Sequence, residues 1–482
     1  MNRTTDTTVP AAPASAAGTP ATSANPSGPQ IYDNILQTVG HTPLVRLNRL
    51  TRDCKATVLA KVEYFNPGGS VKDRIAIAIV AEAEAKGLLK PGGTIVEATS
   101  GNTGTGLAMV AAVKGYRAIL CMPDKVSIEK INLLKSFGAE VVITPTAVPP
   151  DSPESYYEVA KRLAREIPGA YLANQYHNPT NPEAHFKSTG PEIWQQTGGK
   201  IDYFVAGMGT GGTITGIARY LKSQNPKIKV VGADPVGSIL KDYFYTKKMV
   251  PAKSYKVEGI GEDFIPSIYD FSMYDEMISV NDSQSLNTAR RLAREEGILA
   301  GGSSGTALWA ALQVARRAKE GEVVVVLIPD TGERYLSKVH SDEWMRDNRL
   351  LDTGTVTVAE VLRGKGTHVP ALVSVNFDEP VSRALGLIRE FNISQLPVLK
   401  DGAVVGSVSE GFLFQKVFDG TAPEDARVEY HLEKPLPTVP ADATLPQVFK
   451  LLAGSNAALA TDAHGKPLGI VTRYDLLEYV AG

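Results

Sequence analysis

The chain has 482 residues, 43% hydrophobic and 21% charged, with a formal net charge of -2. That is enough for about three ordinary domains and a sizeable core, without the basic excess of a nucleic-acid-binding protein. Two cysteines, Cys54 and Cys121, and seven histidines with no CxxC or HExxH spacing argue against a disulfide framework or a zinc site.

No run reaches the roughly 18 to 20 apolar residues of a membrane span, and the N-terminus lacks the apolar stretch of a signal peptide. The expectation is a cytoplasmic protein with no membrane partner. Residues 1–29, rich in Ala, Pro and Ser, read as a disordered tail; they hold no Cys or His that could ligate a haem, so no haem is expected.

From Ile31 onward short apolar runs alternate with amphipathic helical stretches, the pattern of an α/β domain with parallel sheet, here 30–348. TVLAKVEYF (57–65) reads as a strand leading into NPGGSVKDR (66–74) and a helix. Gly68 and Gly69 can take backbone angles closed to other residues, and Ser70 and Asp73 are helix-starting types, so Lys72 sits at the mouth of a helix. A lysine partly desolvated there has a lowered pKa and a more nucleophilic amine, as a Schiff-base lysine needs.

Further strand-and-helix units follow, and three glycine-rich turns among them carry chemistry. Thr99, Ser100, Gly101, Asn102, Thr103 and Gly104 offer N–H groups and hydroxyls to a carboxylate at a helix start. Gly209, Thr210, Gly211, Gly212 and Thr213 look built for a phosphate, yet match neither the GxxxxGK[ST] loop of ATP enzymes nor GxGxxG. Gly301, Gly302, Ser303, Ser304 and Gly305 bring neutral hydroxyls to a ligand. A lysine amine, a phosphate cradle, a carboxylate loop and a neutral hydroxyl together meet the needs of a pyridoxal 5'-phosphate enzyme acting on an amino acid.

Residues 31–348 then resemble the fold type II pyridoxal-phosphate family, in its cysteine synthase and cystathionine β-synthase group. The matching stretches include NPGGSVKDR, EATSGNTGTGLA, DSPES (151–155), NQYHNPTNP (174–182), GTGGTITGIARYLK, GADPVGSIL, VEGIGEDFIP (257–266) and GGSSG, in the family's order. The resemblance implies two parallel-sheet α/β subdomains, with Lys72 as the Schiff-base lysine that also moves protons. It implies Asn102 on the cofactor's 3′-oxygen and Gly209, Thr210, Gly211, Gly212 and Thr213 around its phosphate. It places Thr99, Ser100, Thr103 and Gln175 at the substrate carboxylate, Tyr176 in the pocket wall and the Ser303 hydroxyl at the pyridine nitrogen. A hydroxyl there makes the ring a weak electron sink and favours β-replacement. The implied reaction joins L-serine and L-homocysteine into L-cystathionine, with hydrogen sulfide as a further product. O-acetylserine and sulfide are the alternative pair: Glu262 stands where animal enzymes of this kind tend to carry a tyrosine, and GERYLSK (332–338) is similar to cysteine synthases. A catalytically silent sensor of adenosyl nucleotides is the alternative from another class.

After Asn348 the pattern changes to an internal duplication: GSVSEGFLF (406–414) matches GIVTRYDLL (469–477). The two units, 349–420 and 421–482, resemble a tandem CBS-domain pair. That family places a Thr hydroxyl and an Asp carboxylate on a ribose, here Thr472 and Asp475; the first copy has Ser409 but Phe412 in place of the Asp. The resemblance implies one competent effector site, with S-adenosylmethionine as the ligand suited to transsulfuration, and a homodimer or homotetramer.

Overall fold

A computed structural model describes residues 31–124, 126–145, 148–149, 152–351, 356–365, 370 and 372–480. The expected N-terminal tail and Asp151 of the DSPES stretch lie outside the described residues.

Ten strands build the first part: β1 (Leu44–Arg46), β2 (Thr57–Val62), β3 (Thr94–Ala98), β4 (Arg117–Pro123), β5 (Glu140–Thr144), β6 (Ala170–Leu172), β7 (Tyr203–Gly207), β8 (Lys229–Pro235), β9 (Glu276–Val280) and β10 (Val323–Ile328). They form a six-stranded sheet, β1-β2-β10-β7-β8-β9, and a four-stranded sheet, β5-β4-β3-β6. Every neighbouring pair is parallel except β1 and β2. The apolar run of β10, VVVVLI, suits a central parallel strand covered on both faces. Helix Gly302–Arg317 buries Ala307, Leu308, Ala310, Ala311 and Val314 in the core beneath that sheet. Helices Lys72–Ala85 and Asn102–Lys114 pack Ile75, Ile79, Leu107 and Val110 against the smaller sheet. The sequence reading omitted β1, β6 and β9; the first two are three-residue strands at sheet edges, too short for a periodicity to register.

Below Lys72 lies a charge network sealed from water. Arg74 Nε donates to Glu63 Oε2 (2.7 Å) and its Nη1 to Glu192 Oε1 (2.7 Å), while Lys61 Nζ donates to Glu192 Oε2 (2.8 Å) and the Thr42 carbonyl (2.7 Å). Thr42 Oγ1 donates to Glu63 Oε1 at 2.6 Å, so nearly every charged atom has a partner. Buried charge is tolerated only when so paired.

The C-terminal part holds two further three-stranded sheets: β11 (Val375–Asn376), β12 (Gln395–Lys400) and β13 (Ala403–Ser409), then β14 (Thr438–Pro440), β15 (Ala457–Thr461) and β16 (Pro467–Thr472). Each has a parallel pair followed by an antiparallel hairpin, which is the repeat read from the sequence. Helix Val358–Gly364 lies at the start of the first unit in the chain but packs in the core of the second. Val356, Val358 and Val361 join Val439, Leu445 and Val448, with Leu445 N–H donating to the Val356 carbonyl at 3.0 Å. The chain thus crosses between the repeats instead of folding them strictly in turn.

Arg74→Met should cost about 3–5 kcal/mol, because it leaves Glu63 ionised and unpaired in the interior. The three tryptophans, Trp194, Trp309 and Trp344, all precede the repeats, so urea unfolding followed by their fluorescence reads this region alone; a transition unmoved by the substitution would contradict the assignment.

Candidate active site

The C-terminal ends of β3, β7 and β10 meet around a cavity of about 760 Å3. Lys72, Thr99, Ser100, Asn102, Thr103, Gln175, Tyr176, Gly209, Thr210, Gly211, Thr213 and Ser303 all line it, brought together from stretches over 230 residues apart. Gly212 is not on the cavity wall: it lies behind, against Asn181.

Lys72 is the first residue of its helix, and of the two helix-starting residues Ser70 serves the helix start while Asp73 does not. Ser70 Oγ accepts the Lys72 N–H at 3.2 Å, whereas the Asp73 carboxylate turns back to the Gly68 N–H at 2.6 Å and tightens the glycine bend. Gly69 has φ +74°, open to glycine at little cost. From the other side Arg334 donates to the Gly68 carbonyl and to Asn102 Oδ1, and the Val71 N–H reaches the Pro329 carbonyl at 2.8 Å. Asn102 Nδ2 donates to Asp330 Oδ2 (2.8 Å), which also receives the Tyr335 hydroxyl (2.7 Å). Burial pushes the Lys72 amine below its ordinary pKa, and Asp330 and Glu262 partly restore it. A larger neutral fraction follows, which is what a nucleophile or base requires.

The carboxylate loop is ordered from within. Thr99 Oγ1 accepts the N–H groups of Gly101 (3.1 Å) and Gly104 (3.3 Å), and Thr103 Oγ1 donates to Gln175 Oε1 at 2.6 Å. Beneath it Glu97, buried in β3, accepts the backbone N–H of Asn174 (2.6 Å) and Gln175 (3.3 Å). Burial outweighs those bonds and raises its carboxyl to about 8.

At the phosphate turn Gly211 has φ +89°, and a Cβ there would lie 2.8 Å from the Tyr269 ring; at Gly212 it would lie 1.9 Å from Asn181 Oδ1. Only glycine fits, so the turn presents bare backbone at the head of helix Gly212–Gln224. Thr213 Oγ1 meets His185 Nε2 at 3.1 Å, and burial holds His185 well below its ordinary pKa, hence neutral. The third turn departs from the strand-to-helix reading: it joins helix Asp282–Glu296 to helix Gly302–Arg317, touching a strand-like partner only through the Ala300–Thr331 bridge. It still delivers Ser303 to the cavity, with Ser304 Oγ buried and unpartnered beside it.

A phosphate-sized turn without room for side chains, a lysine with a depressed pKa and the Ser303 hydroxyl on the wall, with the unpartnered Ser304 hydroxyl beside it, fit pyridoxal phosphate. Among the described residues no His, Cys, Asp and Glu cluster could hold a metal, and no helix is long and apolar enough to cross a membrane. Sequence reading missed Glu97, Asp330, Arg334, Asn181 and Glu258. Glu97 alone left a signal, a carboxyl inside the apolar strand TIVEA.

Fold and cavity define a pyridoxal-phosphate enzyme of fold type II with a C-terminal pair of CBS units. The model described as pyridoxal-phosphate dependent enzyme matches residues 35–330, and the CBS domain model matches 367–411 and 428–482. A cystathionine beta-synthase of Dictyostelium discoideum is 41% identical over 93% of this chain and 92% of its own; that of Saccharomyces cerevisiae is 39% identical over 93% and 98%. Among solved structures, O-ureido-L-serine synthase is 40% identical with a TM-score of 0.60 over 65% of this chain and 98% of its own. A hydrogen sulfide-producing enzyme from Fusobacterium nucleatum is 37% identical with a TM-score of 0.60 over 64% and 100%. The chain belongs to the cystathionine β-synthase family of pyridoxal-phosphate dependent enzymes.

In the CBS pair, Thr472 N–H and Oγ1 donate to Asp475 Oδ2 at 2.7 and 2.8 Å, and Lys365 Nζ lies 2.8 Å from the same oxygen. In the first copy Ser409 N–H donates instead to Glu433 Oε2 at 2.6 Å, so a carboxylate from outside the motif fills the place left by Phe412.

Glu97 titrates near 8 when folded but at 4.5 as a free side chain. The folded state holds the proton longer, so stability is unpenalised below about pH 4.5 and falls as pH rises towards 8. Glu97→Gln should flatten this decline, and thermal midpoints of both proteins at pH 5 and pH 8 measure it; equal declines would remove Glu97 as the cause.

Proposed function

We propose that this chain condenses L-serine with L-homocysteine to L-cystathionine by pyridoxal-phosphate-dependent β-replacement, with hydrogen sulfide as a further product. The observation carrying this reading is the shared cavity of Lys72, the Thr99–Gln175 loop and the glycine cradle. The cystathionine β-synthase relatives support the choice of substrates. When bound, the cofactor supplies the electron sink that stabilises negative charge at the amino acid's α-carbon.

The rest is the work of the chain. Lys72 Nζ would hold the cofactor and would take and return the substrate's α-proton. The N–H groups and hydroxyls of Thr99, Ser100 and Thr103, with the Gln175 amide, hold the substrate carboxylate and fix the α-carbon before Lys72. Asn102 would face the cofactor's 3′-oxygen, Gly209, Thr210, Gly211 and Thr213, with Gly212 behind them, would hold its phosphate, and the Ser303 hydroxyl would meet its ring nitrogen without charging it. Tyr176, packed edge-on against Tyr157 at 5.6 Å between ring centres and tilted against Phe264, closes the pocket wall. The enzyme works in the cytoplasm as a homodimer or homotetramer. S-adenosylmethionine binds the second CBS unit on Thr472 and Asp475, displacing Lys365 from that carboxylate.

Purified holoenzyme should make cystathionine from serine and homocysteine faster, per site, than cysteine from O-acetylserine and sulfide. Lys72→Ala should lose turnover and the covalent retention of cofactor after borohydride reduction. Preference for O-acetylserine would make the chain a cysteine synthase, and an active Lys72→Ala protein would sink the mechanism.

For the effector, calorimetry of the full-length holoenzyme should give binding heat with S-adenosylmethionine that Asp475→Ala abolishes. Heat with ATP alone, or none with either, rejects the assignment.

A further inference from the structure

We propose that Glu262 is the acid–base group of the β-carbon, protonating the departing serine hydroxyl and then taking the proton of the incoming thiol. This rests on the β-replacement reading above and adds a residue to it. The two ends of the substrate need different proton traffic. Lys72 serves the α-carbon, but hydroxide is a poor leaving group and must depart as water, and a thiol with a pKa of roughly 8.5 arrives protonated at neutral pH.

Glu262 lines the cavity that Lys72 lines. Its backbone is pinned on both sides: its N–H donates to Ser238 Oγ at 3.1 Å, and its carbonyl accepts from the Ile239 N–H at 3.1 Å. Its carboxyl, by contrast, accepts no hydrogen bond from the described residues and is left to the cavity. Burial, with the carboxyls of Asp263 and Asp234, raises its pKa well above the ordinary range against the pull of Lys72. A proton is therefore available to give.

Other groups on the wall are less suited. Glu258 is neutralised between Lys130 and Lys338, whose amines it occupies in turn. Asp263 is exposed to water. Burial raises the hydroxyls of Tyr156, Tyr157 and Tyr176, making them poorer proton donors. In the first half of the reaction the Cβ–O bond breaks, its electron pair leaves with oxygen, and the Glu262 proton completes a water molecule. In the second half the Glu262 carboxylate takes the thiol proton, and the sulfur electron pair forms the new bond to Cβ. The carboxyl ends protonated as it began, and no oxidant or reductant is needed.

Leaving-group chemistry provides the test. Acetate departs without a proton, and sulfide in mildly alkaline buffer is largely the hydrosulfide anion, so under those conditions O-acetylserine with sulfide bypasses Glu262 at both steps. Glu262→Gln should lower kcat for serine with homocysteine by about 100-fold or more while leaving kcat for O-acetylserine with sulfide within about threefold, and Glu262→Asp should restore part of the loss. Bound-cofactor absorbance, thermal midpoint and the spectral titration with non-reacting L-alanine should be unchanged in Glu262→Gln, showing a folded and loaded site. Serine turnover within threefold of the parent, or equal loss with both substrate pairs, would overturn the proposal. A parent enzyme that makes no cystathionine from serine would overturn the reading beneath it as well.

Discussion

A guanidinium and two carboxylates closed off from water decide where Lys72 can be. Arg74 lies one helical half-turn beyond Lys72 and is fastened to Glu63 at the end of β2 and to Glu192 on helix Thr189–Gln196. The pairing draws Glu192 far below the ordinary carboxylate range and also lowers Glu63. Buried ion pairs add little net stability compared with apolar packing, but they tolerate few geometries, because a broken pair leaves a charge in low dielectric. The larger sheet and the helix carrying the lysine are thereby held in one register. The loop after β10 adds the second restraint, with Arg334 on the Gly68 carbonyl and Asp330 on Asn102. A lysine whose helix start is held from two sides needs little reorganisation to reach a reacting atom, and preorganisation of this kind is a large part of catalysis.

The parts legible in the sequence are those whose chemistry is local. A glycine pair before a lysine, three glycine-rich turns, and a repeated Gly-x-x-(Ser/Thr) segment are written in consecutive residues, and of the cofactor and substrate residues expected from the first two kinds of stretch only Gly212 is off the cavity wall. What the sequence hid is pairing at a distance. Asp330 and Asn102 are 228 positions apart, and Lys130 and Glu258 are 128 apart; nothing in either stretch announces the other. Asp73 is instructive because its local reading was reasonable. A carboxylate in a first helical turn favours the helix dipole, yet the Gly68 N–H, created by the bend before it, competes better. The crossing of helix Val358–Gly364 into the second repeat was likewise invisible, since an apolar stripe says that a face is buried but not against what.

The two repeats show how a duplicated unit diverges without losing its frame. Both place a hydroxyl residue, Ser409 or Thr472, at the junction of a hairpin strand and a helix. In both, a carboxylate satisfies the backbone N–H at that junction, which would otherwise be one of the unpaired donors of a helix start. The second repeat uses Asp475 from its own motif; the first uses Glu433 from the start of the second unit. Backbone satisfaction is therefore preserved while the motif carboxylate is lost, and the loss is one of ligand chemistry more than of stability.

The same economy of charge runs through the cavity. The turn from Gly209 to Thr213 carries no charged side chain, and its neighbour His185 is neutral, so an anion placed there would meet only N–H groups and the helix dipole. A guanidinium at that place would also attract the substrate carboxylate and blur the distinction between the two anion sites. Acids are treated in the opposite way: burial lifts Glu97, Asp73 and Glu262 towards or beyond neutrality, so that few of them repel an anionic substrate. Lys72 is then an amine in a region where burial shifts Glu97 and Glu262 towards their neutral forms, while Glu258 is paired with Lys130 and Lys338. Its partial desolvation follows from that arrangement, because an amine set among ionised carboxylates would be held firmly in its charged form and could neither attack a carbonyl nor accept a proton.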